Sequence, residues 1–305
     1  MVIPERGLIW CPNAKVGSST MVGVLPRLIG PNASARPQTR RLVERGSLEP
    51  HHGAALARLR KNLQPADRHR VVFASEMEKA ARQELCTSGR AVTFTTVRSP
   101  WERMVSAYLG KVADGSEGNG VDTSIIRDFL GMPAGKPIPF DRFLEFVSKQ
   151  PDEKISIHFM PQSFRCGVGM GHYLIESHID SGSFADDVKL ILRSLGESED
   201  LFKEDHRRCI DECGQSELCT ANLEAQIGPK ATWIGNSTGE IARKLYKSRP
   251  GHDLADIVRQ RYADDAKLLG YAWPGHIDPL PWPGNGGHLE DTPLSRLRLF
   301  YDAAP

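Results

Sequence analysis

Apolar residues occur along this chain in two patterns, as short unbroken runs and as longer stretches with helical spacing. The short runs at residues 7–11, 70–74 and 91–97 are rich in β-branched and aromatic side chains, which is typical of buried strands. Two further runs, at 172–176 and 231–234, have the same character. We therefore predict five strands, with the runs at 70–74 and 91–97 in the centre of a sheet.

The longer stretches carry apolar residues every three or four positions, which is the spacing of one helix face. They predict helices at 19–29, 48–63, 101–112, 140–147, 188–195 and 254–269. Gly196 follows the fifth of these, and glycine commonly ends a helix. Residues 115–139 are rich in Gly and Pro and are predicted to form a surface excursion, and the tail 273–305 is predicted to be irregular.

Strands that alternate with helices along a chain are typical of α/β proteins. Parallel strands need long crossover connections, and these connections cover both faces of the sheet with helices. We therefore predict a P-loop-like parallel sheet flanked by helices on both faces. A length of 305 residues is compatible with one large domain or two smaller ones. We expect a single domain over 1–272, followed by the irregular tail.

Composition narrows the classes of function. Hydrophobic residues make up 40% of the chain and charged residues 25%, which is ordinary for a globular protein. The formal net charge of +1 argues against a nucleic-acid binder that works through bulk positive charge. No apolar run approaches the roughly 18 residues of a membrane helix, and residues 1–7 lack the apolar core of a secretory signal. We expect either a soluble chain or a fragment without its membrane anchor.

The cysteines indicate a compartment. There are six of them, and the last three fall within eleven positions: Cys11, Cys86, Cys166, Cys209, Cys213 and Cys219. An even number with a local cluster is typical of a disulfide-stapled loop in an oxidising lumen. Free thiols are one alternative. A zinc site that uses His206 is another, although the spacing matches no common zinc pattern.

Residues 11–20 read CPNAKVGSST and join the first predicted strand to the first predicted helix. A loop at such a junction points backbone N–H groups and the positive end of a helix at an anion. Gly17 permits a close backbone approach, the hydroxyl groups of 18–20 add donors, and Lys15 adds a mobile positive charge. Lys15 precedes the glycine, whereas the nucleoside-triphosphatase loop has its lysine after the second glycine. We predict a phosphate-binding loop of another kind.

Residues 94–108 read FTTVRSPWERMVSAY and provide a more specific signal. The strand places Arg98 at its carboxyl end, a proline opens the following helix, and Ser106 lies about two turns into it. A planar guanidinium binds phosphate through two hydrogen bonds, and a serine hydroxyl can add a third. We predict a second anion site here. The alternative is a helix cap with Glu102 and Arg103 on a solvated face.

Both segments resemble the co-substrate motifs of Golgi-type carbohydrate sulfotransferases. The string KVGSST resembles the 5′-phosphosulfate-binding loop of that family, although here Asn13 and Ala14 stand between the proline and Lys15. The string VRSPWERMVSAY is similar to the 3′-phosphate-binding motif. The stretch HFMPQSFRC at 158–166 and the segment 261–271 are similar to two later family motifs. The resemblance therefore covers about residues 8–271.

The resemblance implies an enzyme that transfers a sulfuryl group from 3′-phosphoadenosine 5′-phosphosulfate (PAPS) to a hydroxyl group, most simply on a glycan, without a metal ion. It implies that 1–272 is the catalytic domain and that the protein resides in the Golgi lumen, or in the cytoplasm if the chain is complete. Arg103 would be structural. The PAPS-binding residues would be Lys15, Val16, Gly17, Ser18, Ser19, Thr20, Arg98 and Ser106.

Sulfuryl transfer needs an acceptor oxygen aligned behind sulfur, neutralisation of the leaving phosphate, and a base for the acceptor proton. We hypothesise that Lys15 stabilises the bridging oxygen as its bond to sulfur breaks. Two residues are candidates for the base. Glu76 follows a predicted strand at the end that faces ligands in α/β folds, and His158 belongs to a residue type that titrates near neutral pH. The pair 51–52, two histidines, is a weaker alternative.

Two other functions are compatible with these residues. A P-loop kinase-like phosphotransferase would share the strand–loop–helix phosphate site, but it would depend on magnesium and ATP. A non-catalytic glycan- or nucleotide-binding module could retain the fold without a base. The presence of Lys15, Arg98 and Ser106 favours the enzyme over the module, whereas the absence of a base would favour the module.

Overall fold

The computed structural model describes residues 2–3, 6–16, 21, 25, 77, 91–114, 123–168, 173, 175–179, 184–199, 217–230, 238–249 and 251–271. The chain divides into two compact units. The first comprises 1–97, 166–205 and 281–305, and the second comprises 98–165 and 206–280. Several predicted features lie wholly or largely outside the described residues, namely the helices at 19–29 and 48–63, the strands at 70–74 and 231–234, and the tail 273–305.

The described residues form four strands and nine helices. In chain order they are β1 (Val2–Ile3), β2 (Leu8–Cys11), β3 (Val92–Val97), α1 (Pro100–Lys111), α2 (Thr123–Leu130), α3 (Phe140–Lys149), α4 (Gln162–Cys166), β4 (Ile175–His178), α5 (Phe184–Ser194), α6 (Glu217–Ile227), α7 (Thr238–Tyr246), α8 (Leu254–Arg261) and α9 (Ala263–Leu268). None of the helices in these ranges is both long and apolar enough to cross a bilayer.

The strands of the first unit form one sheet in the order β1-β2-β3-β4. The β2–β3 and β3–β4 pairs are parallel, and β1 is antiparallel to β2. The expected α/β fold with a mostly parallel sheet is confirmed. The two residues of β1 were not predicted, since so short a run carries no periodicity.

The central strands β2 and β3 are buried because their side chains are apolar or β-branched on both faces. Trp10 and Phe94 are partners in the parallel register, and both are almost fully buried. Their rings stack with centroids 6.0 Å apart and an interplanar angle of 8°, the kind of cross-strand pair that stabilises a sheet. Helix α5 packs against β4, and the hydroxyl of Ser177 donates to the buried carboxylate of Asp187 at 2.6 Å.

The helices of the second unit confirm most of the predicted helical spacing. Predicted helices at 101–112 and 140–147 correspond to α1 and α3, and the one at 254–269 is interrupted at Tyr262 between α8 and α9. The predicted surface excursion was wrong for its middle part, which forms α2 with Ile126 and Leu130 buried. Surrounding Gly and Pro residues obscured a helix of only two turns.

An aromatic cluster lies at the core of the second unit. The ring of Phe140 lies edge-on to Tyr108 at 5.1 Å and to Tyr246 at 5.2 Å between centroids, and Phe143 lies edge-on to Phe159 at 4.9 Å. All five rings are buried, and aromatic pairs of this geometry stabilise a core beyond their buried area.

Polar side chains of α6 complete this core. The carboxamides of Asn222 and Gln226 each donate to the hydroxyl oxygen of Tyr108, at 2.9 and 3.0 Å, and that hydroxyl donates to the carbonyl oxygen of Ile138 at 2.9 Å. Burial raises the pKa of Tyr108, so its hydroxyl stays protonated and remains a donor. Gln226 also accepts a hydrogen bond from the N–H of Phe140 at 2.8 Å, at the first residue of α3.

Candidate active site

The predicted phosphate loop begins at the C-terminal end of β2, in the first unit. Cys11, the last residue of β2, is paired with Thr95 in the parallel register, and the Thr95 hydroxyl donates to the Cys11 carbonyl oxygen at 3.0 Å. The sulfur of Cys11 is bonded to that of Cys166. The start of the loop is therefore held by a strand pairing, a side-chain hydrogen bond and a disulfide.

Lys15 has an unusual backbone conformation. Its φ is 65°, and among the described residues it is the one non-glycine residue with positive φ. The left-handed region costs an L-residue about 1–2 kcal/mol, and such strained positions concentrate at ligand-binding sites. Its neighbours Ala14 and Val16 are buried, whereas Lys15 is partly exposed. Lys15 therefore lies between two buried residues and is itself only partly buried.

Part of the predicted loop and one candidate base lie outside the described residues: Gly17, Ser18, Ser19, Thr20 and Glu76. His51 and His52 lie outside them as well. Their proposed roles stay predictions.

Arg98 directly follows β3, as predicted, and is the first residue of the second unit. Its main chain is held on both sides by the Gln162 carboxamide. The Arg98 N–H donates to Gln162 Oε1 at 3.0 Å, and Gln162 Nε2 donates to the Arg98 carbonyl oxygen at 2.8 Å. A reciprocal pair of this kind restrains the Arg98 backbone as a neighbouring strand would.

The side chain of Arg98 is held by Glu102, in the first turn of α1. Arg98 Nε and Nη2 both donate to Glu102 Oε2, at 3.3 and 3.0 Å, and each side chain is 12% exposed. Within the described ranges, Arg98 Nη1 makes no hydrogen bond to the protein. Glu102 therefore orients the Arg98 guanidinium through Nε and Nη2, and Nη1 lies outside this ion pair.

Two other residues of this motif are buried in α1. Ser106 is 1% exposed and Arg103 is 0% exposed, so the alternative in which Arg103 lies on a solvated face was wrong. Arg103 Nη2 donates to the Ile157 carbonyl oxygen at 3.4 Å. Burial lowers the pKa of Arg103, and the nearby Tyr262 and Asp265 oppose this shift. Arg103 is placed to support the packing around the motif, whereas Ser106 as a phosphate ligand stays a prediction.

The segments 158–166 and 261–271, which also carry the family resemblance, meet at Asp265. This carboxylate is 0% exposed and accepts three hydrogen bonds from the start of α4. Gln162 N–H donates to Oδ2 at 2.7 Å, and Ser163 donates to Oδ1 through its N–H at 2.8 Å and its hydroxyl at 2.6 Å. A carboxylate at a helix N-terminus satisfies free N–H groups and is favoured by the helix dipole.

His158 lies in the turn that precedes α4. Its N–H donates to the Ser156 hydroxyl at 3.4 Å, and its ring lies 6.5 Å from the ring of Phe159. The residue is partly exposed, whereas its Nδ1 atom is buried. The Phe159 carbonyl oxygen accepts a hydrogen bond from Tyr262 Oη at 2.5 Å. Burial raises the pKa of Tyr262, which keeps this hydroxyl a donor. The main chain beside His158 is thus fixed, and the role of His158 as a base stays a prediction.

The disulfides agree only in part with the sequence analysis. Cys219 is disulfide-bonded and buried, while Cys209, Cys213 and His206 lie outside the described residues. The Cys11–Cys166 bond joins residues 155 positions apart, and no local spacing pointed to it. Within the described ranges there is no group of three His, Cys, Asp or Glu side chains that could hold a metal ion.

Sequence reasoning missed the roles of Gln162, Asp265 and Glu102. Each belongs to one of the segments that carry the family resemblance, but the sequence did not predict which residues they contact. The amide–backbone and carboxylate–backbone hydrogen bonds join residues 64 and 103 positions apart. The Arg98–Glu102 spacing of four was a usable signal, since residues four apart can pair on a helix.

Comparison with known proteins gives one match. A family model described as "Sulfotransferase family" matches residues 1–272. No curated protein and no solved structure matches the chain. The matched range contains all four segments that carry the resemblance.

Proposed function

We propose a specific reaction for this chain, which belongs to the sulfotransferase family: transfer of a sulfuryl group from PAPS to a hydroxyl group of a carbohydrate. The observation that carries the proposal is the guanidinium of Arg98 at the end of β3, which Glu102 orients through Nε and Nη2. Two N–H donors on one planar edge match two oxygens of a phosphate. The 3′-phosphate distinguishes PAPS from adenosine 5′-phosphosulfate, so a site of this kind favours PAPS.

Lys15 is the proposed electrostatic catalyst. As the acceptor oxygen forms its bond to sulfur, the bond from sulfur to the bridging oxygen breaks, and negative charge grows on that oxygen. An ammonium group placed there stabilises this charge in the transition state. The left-handed backbone of Lys15 supports the assignment, because strain of this kind is maintained where a side chain must point at a ligand.

Adenosine 3′,5′-bisphosphate is the proposed leaving product, and the acceptor proton passes to a base, for which Glu76 and His158 remain the candidates. The proposal needs no metal ion, since Lys15 and loop N–H groups supply positive charge. Residues 16–20 would bind the 5′-phosphosulfate, and Ser106 would join Arg98 at the 3′-phosphate. We place the protein in the Golgi lumen, which the two disulfide-bonded cysteine sites support because such bonds persist in oxidising compartments.

Transfer of labelled sulfate from PAPS across a panel of glycans, peptides and small alcohols tests this function. We expect transfer to at least one glycan, with inhibition by adenosine 3′,5′-bisphosphate. Phosphate transfer from ATP that requires magnesium would instead identify a kinase-like enzyme. Tight binding of the bisphosphate with no transfer to any acceptor would identify a binding module.

A further inference from the structure

We propose that Gln162 is a positioning residue that, fixed by Asp265, sets the direction in which Arg98 presents its guanidinium to the 3′-phosphate. The inference rests on the proposed function and assigns a task to two residues that the reaction itself does not use. It also links three separate motif segments, at 97–108, 158–166 and 261–271, because each contributes one residue to the same series of contacts.

The first step is the contact between Gln162 and the Arg98 main chain. The strand β3 ends at Val97, so the N–H and carbonyl groups of Arg98 lie beyond its ladder. The Gln162 carboxamide pairs with both of them, at 3.0 and 2.8 Å. Gln162 is 0% exposed, so water does not substitute easily for either bond. The Gln162 carboxamide therefore fixes the position of the Arg98 backbone, from which the guanidinium side chain extends.

The second step is the contact between Gln162 and Asp265. The Gln162 N–H and two donors of Ser163 converge on one buried carboxylate, at 2.6 to 2.8 Å. Hydrogen bonds to an ionised acceptor are stronger than neutral ones. They fix the first residues of α4, from which the Gln162 side chain extends. Asp265, Gln162 and Arg98 thus form a continuous series of contacts within the second unit.

The third step concerns the side chain. Glu102 accepts hydrogen bonds from Nε and Nη2 of Arg98, so the guanidinium edge formed by Nη1 and Nη2 keeps a constant orientation relative to the Arg98 backbone. A shift of that backbone would therefore displace the edge as a whole. Displacements near 1 Å at a positioned group can reduce function by about 100-fold.

Gln226 offers a matched control. Its carboxamide also accepts a main-chain N–H, that of Phe140, at 2.8 Å, and it also donates to a second group, the Tyr108 hydroxyl, at 3.0 Å. Both glutamines therefore fix the main chain at or near the start of a helix in the second unit. Only Gln162 contacts a residue with a proposed role in nucleotide binding.

The test compares Gln162→Met with Gln226→Met. The dissociation constants of adenosine 3′,5′-bisphosphate and of 5′-AMP are measured by calorimetry. The dissociation constant of 5′-AMP divided by that of the bisphosphate reports recognition of the 3′-phosphate alone. We expect this ratio to fall about tenfold from wild type in Gln162→Met and to stay unchanged in Gln226→Met. The melting temperature should drop in both variants, because each loses buried hydrogen bonds. An unchanged ratio in Gln162→Met would overturn the proposal.

A double variant separates positioning from general damage. If Gln162 acts through Arg98, the ratio in Arg98→Ala/Gln162→Met equals that in Arg98→Ala. A further fall in the double variant contradicts an action through Arg98. Should Gln162→Met fail to fold, Asp265→Asn replaces it, because it keeps the side-chain shape and weakens the hold on α4. Its ratio is then expected to fall, and a wild-type ratio would overturn the proposal.

The same data separate this inference from the proposed function. A wild-type protein that shows no preference for the 3′-phosphorylated nucleotide contradicts PAPS use itself, and the positioning role falls with it. A wild-type preference that survives loss of Gln162 leaves PAPS use intact and overturns the positioning role alone.

Discussion

Lys15 and Arg98 both come after strands of the sheet, but their main chains are held in different ways. Lys15 lies four residues beyond β2 in the left-handed region, where the loop itself maintains the conformation. Arg98 follows β3 directly and is held by a side-chain amide from elsewhere in the chain. In both cases a cationic side chain is attached to a restrained backbone, which lowers the entropy lost when an anion binds.

Replacing Lys15 separates its charge from its backbone strain. Lys15→Ala and Lys15→Gly both remove the ammonium, so we expect each to reduce turnover by about 100-fold or more. Glycine adopts positive φ without steric penalty. The free energy of unfolding of Lys15→Gly should therefore be higher than that of Lys15→Ala by about 1 kcal/mol. Sulfate transfer and urea unfolding measure the two effects. Normal turnover in both variants would exclude Lys15 as the electrostatic catalyst.

Replacing Glu102 tests the charge balance at the Arg98 site. Glu102→Gln keeps an acceptor for Arg98 but removes a negative charge that would repel a bound phosphate. We expect adenosine 3′,5′-bisphosphate to bind more tightly by about 1 kcal/mol, less at high salt. Calorimetry at two salt concentrations measures this change.

Glu145→Gln is the control for that experiment. Glu145 pairs with Lys149 at the same i,i+4 spacing on an exposed face of α3, so its neutralisation should leave the affinity for the nucleotide unchanged. Weaker binding in Glu102→Gln would mean that holding the guanidinium matters more than the repulsion.

At the scale of elements, three kinds of contact constrain the junction of β2 and the phosphate loop in the first unit. The strand pairing, the Thr95 hydroxyl and the disulfide all act on Cys11. In the second unit, the start of α4 has the same role, because Asp265 fixes it and Gln162 extends from it. Short elements thus carry the groups proposed to bind the nucleotide, and contacts distant in sequence fix their ends.

Removing the Cys11–Cys166 disulfide should affect both stability and nucleotide binding. The bond closes a chain segment with a sequence separation of 155, so Cys11→Ser/Cys166→Ser should lower the free energy of unfolding by about 5 kcal/mol in the chain-entropy account. We also expect weaker binding of the bisphosphate, because the loop that contains Lys15 starts at Cys11. Denaturant unfolding and calorimetry measure the two quantities.

A reductant alone would not isolate this bond, since Cys219 is disulfide-bonded too. The double serine variant therefore serves as the reference, and reductant added to it reports the remaining bond. Wild-type affinity in the folded double variant would show that the disulfide stabilises the first unit without positioning the loop.

At the scale of the whole molecule, the nearly neutral net charge gives little general attraction for anions. The net charge is only +1, so affinity for an anionic nucleotide must come from a few placed groups and not from the overall field. The family match ends at residue 272, the same position at which we expect the catalytic domain to end. That boundary stays a prediction.

A chain truncated after residue 272 tests the boundary. We expect it to bind adenosine 3′,5′-bisphosphate within about twofold of the full chain and to unfold in one cooperative transition. Loss of binding, with aggregation of the truncated chain, would show that the last 33 residues, counted from 273 to 305, belong to the folded domain.

Local patterns of residues were enough to predict most of the regular elements and the chemistry of the two cationic side chains. Apolar runs and helical spacing predicted β2, β3, α1 and α3 because these elements depend on near neighbours and on burial of one face. The chemistry of Lys15 and Arg98 followed from residue type and position after a strand. The short helix α2 was not predicted, because the residues that flank it are rich in Gly and Pro.

The contacts between residues distant in sequence could not be predicted from local patterns. Gln162 reaches Arg98 across 64 positions, Asp265 reaches Gln162 across 103, and Cys11 joins Cys166 across 155. Each contact depends on how buried elements pack, and many pairings of amides, carboxylates or cysteines satisfy the same local pattern. Packing selects one pairing because a buried polar group without its partner is costly, and that selection acts only once the chain has folded.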